Sequence, residues 1–121
     1  MLVKSAASNQ IVFIVVGVAR SGALGAIVDG AGAGTGAAPR IIRDHVGLPI
    51  DFAIPVADKL LMENGVRNGF ILIGSSMISF GSDIFKLLLL GVNMANVSTA
   101  AVHTAEHHRQ STAKNSLNAL H

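Results

Sequence analysis

The chain contains no cysteine, tryptophan or tyrosine among its 121 residues. Without cysteine it has no disulfide, no thiolate nucleophile and no cysteine-held iron–sulfur cluster of its own. Five phenylalanines are the entire aromatic content. With lysine and arginine scattered singly, there is no stacking platform or basic stripe, and nucleic acid is not an expected partner. Charge is scarce too: 13% of residues are charged, against about 25% in ordinary soluble domains. Long apolar runs are missing, since Ile11 to Ala19 covers nine residues and Leu87 to Leu90 four. A membrane span needs about 20, so no membrane segment is expected. Ser8, Asn9 and Gln10 break any signal-peptide core, and the expected location is cytoplasmic.

What the chain does have is apolar residue in excess. Half of it is hydrophobic, with a mean hydropathy of +0.55. So few charges on so apolar a chain predict surface that must be covered, by a partner chain, a second copy or more of the same fold. Glycine is concentrated in Val28-Asp29-Gly30-Ala31-Gly32-Ala33-Gly34-Thr35-Gly36-Ala37-Ala38-Pro39. This stretch follows a short apolar run, as a ligand-cradling loop does after a buried strand.

Short apolar runs alternate with helix-compatible stretches. Leu2 to Lys4 reads as a strand fragment. Asn9 is a candidate N-cap for a segment reaching Arg20 that is ambiguous, because Ile11, Val12, Ile14, Val15, Val16 and Val18 are β-branched and favour strand. Gly25 to Asp29 reads as a strand, and Arg40 to His45 as a helical turn. Pro49 opens a helix to Asn64 with Gly65 as its cap. Ile50, Ala53, Ile54, Ala57, Leu60 and Leu61 form its buried face, and Pro55 is expected to kink or shorten it. Phe70 to Ile73 reads as a strand followed by a turn at Gly74-Ser75-Ser76. Ser82-Asp83 begins a helix through Leu90, Asn93 to Val97 is a short strand, and Thr99 is a candidate cap of a last helix. Strand–helix alternation with buried strands predicts a parallel α/β fold. The expected division is an α/β unit over residues 1–104 and a polar tail over 105–121.

The glycine stretch resembles the Asp-Gly/His-x-Gly-Gly-Thr-Gly-Ala-x-Pro loop in the flavin domain of glutamate synthases, especially the short archaeal type. Leu2-Val3-Lys4, Gly17-Val18-Ala19-Arg20-Ser21-Gly22-Ala23, Gly47-Leu48-Pro49-Ile50, Leu61-Met62-Glu63-Asn64-Gly65-Val66-Arg67, Gly81-Ser82-Asp83-Ile84 and Leu90-Gly91-Val92-Asn93 are similar to family motifs in the same order. The resemblance runs from about Leu2 to Ala101. It implies a (βα)4-like half of a TIM barrel, the carboxyl-terminal half, with the chain entering at the fifth strand. It also implies FMN as cofactor and glutamate formation from 2-oxoglutarate and ammonia. Lys4 is the implied catalytic residue. Lys4, Asp29, Gly30, Gly32, Gly34, Thr35, Gly36, Ser76, Ser98 and Thr99 are the implied cofactor-binding positions.

Departures from the family accompany the likeness. Ser76-Met77 and Asn96-Val97-Ser98-Thr99 stand where the family grips the flavin phosphate with glycine turns, Ser79 replaces an arginine, and the cluster cysteines are absent. Side chains at those glycine positions crowd a phosphate or forbid the φ it needs. On this reading the chain is incomplete and inactive alone, and its expected partner is itself or a chain supplying the missing half-barrel. The alternative is a non-catalytic association module, or a decayed remnant, without flavin.

Two further motifs have weaker readings. Gly32-x-Gly34-x-x-Ala37 after a strand, with Asp51 as a ribose contact, fits a dinucleotide fingerprint. His103-Thr104-Ala105-Glu106-His107 matches an H-x-x-E-H zinc string but brings no third ligand, so no metal site is expected.

Overall fold

The computed structural model describes residues 1–31 and 39–97. Within them the short apolar runs are strands and the longer ones helices. The strands are β1 (Leu2–Ala6), β2 (Gly25–Asp29), β3 (Ile71–Ser75) and β4 (Met94–Asn96). The helices are α1 (Ile11–Arg20), α2 (Arg40–His45), α3 (Ile50–Glu63) and α4 (Gly81–Leu89). All the strands are parallel and lie in sequence order, β1-β2-β3-β4. The expected parallel α/β architecture is therefore present.

Packing settles what propensity leaves open in α1. Its β-branched residues form a helix because Ile11 and Val15 enter the core, with Val12, Val16 and Val18 packed against it. Asn9 is not the cap. Gln10 occupies that position without a side-chain cap bond, and Ser8 makes the turn, its carbonyl accepting from the Ile11 N–H at 3.0 Å and its hydroxyl from the Gln10 N–H at 3.3 Å. α3 starts at Ile50 despite Pro55, because Pro49 presets the entry and the expected face is buried. Gly65 follows at φ 67, a backbone conformation suited to glycine.

β3 runs further than expected, and Gly74 and Ser75 belong to it rather than to a turn. A Cβ on Gly74 would stand 3.2 Å from Val92 and 3.4 Å from Leu87, so α4 lies directly on the strand there. β1 extends to Ala6, but its residues alternate between half-buried and exposed. It is the outer strand of the described sheet, not a buried one. The Thr99 cap and the 105–121 tail lie outside the described residues.

Alternation sorts the sheet into two unlike faces. Ala26, Val28 and Leu72 point to the helices and share one core with Ala53, Ile54, Ala57, Leu61 and Leu87. The opposite face is laid out in level rows: Leu2, Gly25 and Ile71; Lys4, Ile27, Ile73 and Met94; Ala6, Asp29, Ser75 and Asn96. Ile73 is buried but takes no part in the helix-side core. Leu2 and Met94 remain 44% and 56% exposed. Among the described residues every helix that joins this core lies on one side, while on the opposite face Gly25, Ile73, Asp29 and Ser75 are buried and Leu2 and Met94 stay exposed.

At the amino ends of the strands Arg67 joins three elements. Its Nε donates to Asp58 Oδ1 of α3 at 2.5 Å, Nη1 to the Phe70 carbonyl at 2.8 Å, and Nη2 to the Gly91 carbonyl at 2.8 Å and Asn93 Oδ1 at 3.0 Å. Asn93 Oδ1 also accepts from the Leu72 N–H at 2.9 Å. The guanidinium is four-fifths buried, and only a planar fork reaches all these acceptors. Arg67→Lys keeps the charge and loses the fork, so urea unfolding is expected to show a loss of about 2 kcal/mol.

Candidate functional site at the carboxyl edge of the sheet

Parallel βα folds place their chemistry at the carboxyl ends of the strands, where backbone groups leave the ladder and loops converge. Backbone hydrogen bonds hold this edge. The Ala7 N–H donates to the Asp29 carbonyl at 2.7 Å, Gly30 to Ser75 at 2.7 Å, Ala31 to Leu48 at 2.9 Å and Leu48 to Ala7 at 2.5 Å. The strand ends of β1 and β2 are thereby tied to the segment leading into α3.

Lys4 and Asp29 meet here. Lys4 is level with Ile27, so its side chain and that of Asp29, two residues further along β2, share the uncovered face. Lys4 Nζ lies 2.7 Å from Asp29 Oδ2, with the two side chains 49% and 10% exposed. The second carboxylate oxygen, Asp29 Oδ1, is buried and has no hydrogen-bond partner among the described residues. A buried carboxylate ordinarily has both oxygens satisfied, so this edge has capacity for a donor. Ser75, level with Asp29, is also buried.

Gly30 is confined by protein. A Cβ there would stand 2.9 Å from Ile50 Cβ and 2.9 Å from Ser76 Oγ. Gly47 is similarly close to Ala31. Together they dock the start of the glycine loop against α3. Gly32, Gly34, Thr35 and Gly36 lie outside the described residues, as do Ser98, Thr99 and the histidine string at 103–107.

The loop after β3 is internally bonded. The Ile78 N–H donates to the Ser76 carbonyl at 2.8 Å. Those of Ser79 and Phe80 donate to Asp83 Oδ2 at 3.1 and 3.0 Å. No non-glycine residue among those described has a positive φ, so Ser76-Met77 makes no left-handed turn. Of the positions implied for a flavin, Lys4 and Asp29 thus bring charged groups to this edge, while Ser76-Met77 makes no phosphate-gripping turn. Asp51, the ribose contact of the dinucleotide reading, is instead paired with Lys86 of α4 at 2.5 Å.

Among the described residues, no group of three or more His, Cys, Asp or Glu is placed to hold a metal. No described helix is long and apolar enough to cross a membrane. Sequence reasoning named Lys4 and Asp29 separately and missed their contact; the register of two adjacent strands was the signal for it. The Arg67 hub was missed entirely, although Arg67 and Asn93 each stood within a recognised motif.

A consecutive parallel sheet with its described core helices on one face defines a βα-repeat protein. A family model described as the conserved region in glutamate synthase matches residues 1–108, and the chain belongs to that family. It is 43% identical over 102 residues to the archaeal glutamate synthase [NADPH] of Methanocaldococcus jannaschii, covering 84% of this chain and 20% of that protein. It is 41% identical over 100 residues to the archaeal-type glutamate synthase [NADPH] of Thermotoga maritima, covering 83% and 20%. The large chain of glutamate synthase [NADPH] from Bacillus subtilis is 33% identical over 87 residues, covering 72% and 6%. The chain thus spans a fifth of the length of the archaeal-type relatives.

Because Gly30 is hemmed in by Ile50 and Ser76, Gly30→Ala is expected to cost about 1–3 kcal/mol of stability in urea unfolding. A variant as stable as the parent would show that Ile50 and Ser76 yield freely.

Proposed function

We propose that this chain forms the carboxyl-terminal half, a (βα)4 unit, of the FMN-binding barrel of a glutamate synthase, with Lys4 and Asp29 at its reactive edge. The observation carrying this reading is the Lys4–Asp29 pair near the carboxyl edge of a parallel sheet whose described core helices all lie on its other face and whose outermost residues Leu2 and Met94 are exposed. Parallel sheets are stable when both faces are covered, and closure into a barrel turns such a face into an interior. The further strands come from a second copy or another polypeptide segment.

In this role a flavin held at the Lys4–Asp29 edge would supply the two-electron reduction needed to form glutamate from 2-oxoglutarate and ammonia. The Lys4 ammonium has donors left after Asp29 takes one, and these hold a substrate carboxylate or offset negative charge developing beside it. Asp29 restrains the Lys4 side chain, which fixes where the positive charge stands. The flavin phosphate is held by groups other than the loop after β3, whose N–H groups at 78–80 are already bonded.

That closed loop also supports a second reading, an association module without flavin. The two are separated by purifying the chain with added FMN and following chromophore and mass together. Co-elution of bound flavin with a dimer or larger assembly supports the first reading, with Lys4→Met expected to weaken flavin retention about tenfold. Flavin-free assemblies support the second. A stable flavin-free monomer contradicts both.

A further inference from the structure

We infer that Asn68 is a site of spontaneous covalent modification: its side-chain amide is lost by cyclisation onto the Gly69 nitrogen, and the product loosens the turn that Arg67 anchors. The inference is independent of the proposed function, since it uses neither the carboxyl edge nor a flavin. Its basis is that one labile dipeptide occurs at both 64–65 and 68–69, in opposite local states.

Asparagine followed by glycine is chemically labile because glycine has no side chain to shield its N–H or restrict its backbone. The glycine nitrogen gives up its proton to water or hydroxide and attacks Cγ of the asparagine. The new N–Cγ bond closes a cyclic imide, and the side-chain nitrogen leaves as ammonia. Water then opens the ring at either carbonyl. The product is aspartate or, with the main chain routed through the side-chain carbon, isoaspartate. The step needs a mobile side-chain amide, an unbonded glycine N–H and room for water.

Three places in the sequence put glycine after Asn or Asp: Asp29-Gly30, Asn64-Gly65 and Asn68-Gly69. At Asn64, Nδ2 donates to the Leu60 carbonyl at 2.9 Å and Oδ1 accepts from Arg20 Nη2 at 2.8 Å. The Gly65 N–H donates to the Met62 carbonyl at 3.0 Å. At Asp29 the side chain is buried, and the Gly30 N–H is committed to the Ser75 carbonyl at 2.7 Å.

Asn68-Gly69 differs on every count. Both residues are exposed, and among the described residues no hydrogen bond holds the Asn68 side chain or the Gly69 N–H. They are the central pair of a turn closed by the Phe70 N–H on the Arg67 carbonyl at 3.3 Å, with Gly69 at φ 78. The turn borders an open cleft of about 510 Å³ shared with Asp58, Arg67 and Asn93. Water and the closing ring both have room there. The ends of the turn, by contrast, are fixed: Phe70 is buried, and Arg67 Nη1 donates to its carbonyl at 2.8 Å. An isoaspartyl link lengthens the main chain by a carbon between these anchored residues.

The test incubates the folded full-length chain at neutral and mildly alkaline pH. Trypsin cleavage after Lys59, Arg67 and Lys86 places Asn64 in residues 60–67 and Asn68 in residues 68–86. Mass spectrometry then reads each peptide for replacement of NH2 by OH. Asn68 is expected to convert at least about tenfold faster than Asn64, where attack must first break hydrogen bonds. Conversion should quicken at alkaline pH, because the attacking nitrogen must lose its proton. In the urea-unfolded chain the two are expected to convert at similar rates, which assigns the difference to the fold. The isoaspartyl form, separated from the parent, is expected to melt at a lower temperature, and Asn68→Gln to abolish the fast conversion. Equal rates at Asn64 and Asn68 in the folded chain overturn the inference. So does an Asn68 that converts only after unfolding, or an isoaspartyl form that melts with the parent.

Discussion

One-sided covering of the sheet is the constraint on which the rest depends. Strands that follow one another in spatial order, joined by helices that share one core, put every described core helix on one face of the sheet. In an isolated four-stranded sheet this leaves Leu2 and Met94 in water while Ala26, Val28 and Leu72 are sealed beneath helices. The scarcity of charge and the excess of apolar residue have their physical counterpart here. The same geometry delivers Lys4 and Asp29 to the uncovered side, because alternation along two registered strands sends them there together.

The two edges of the sheet do different work. At the amino edge Arg67 has acceptors from α3, the approach to β3 and the α4–β4 connection. It makes four hydrogen bonds within the chain, and its role is to fix the helices against the strands. At the carboxyl edge the backbone is equally well tied, yet Asp29 Oδ1 has no hydrogen-bond partner among the described residues.

Family membership and local chemistry agree at the strand ends and part at the loop after β3. Ser76 and Met77 stand in ordinary backbone conformations, and the N–H groups of the three residues that follow are bonded to Ser76 and Asp83. Asp83 serves the start of α4, a local need met by a local bond. The likeness to glutamate synthases therefore speaks to ancestry and scaffold across residues 1–108. The chemistry of the edge rests on Lys4 and Asp29 themselves.

Much of this was legible from residue order alone. Apolar runs bounded by glycine placed Gly25–Asp29, and the spacing of Ala53, Ile54, Ala57 and Leu61 placed the buried face of α3, because period and punctuation are local properties. Tertiary structure decided what depends on neighbours. It made a helix of a β-branched segment by burying Ile11 and Val15, and it drew Gly74 into β3 because Leu87 and Val92 lie against it. It also turned two separate residues, Lys4 and Asp29, into a pair with one oxygen unclaimed. Sequence by itself determined which segments form elements and which family they belong to. Only packing between strands decided which face is left open and which charges meet on it, since register is a relation between segments that neither segment carries alone.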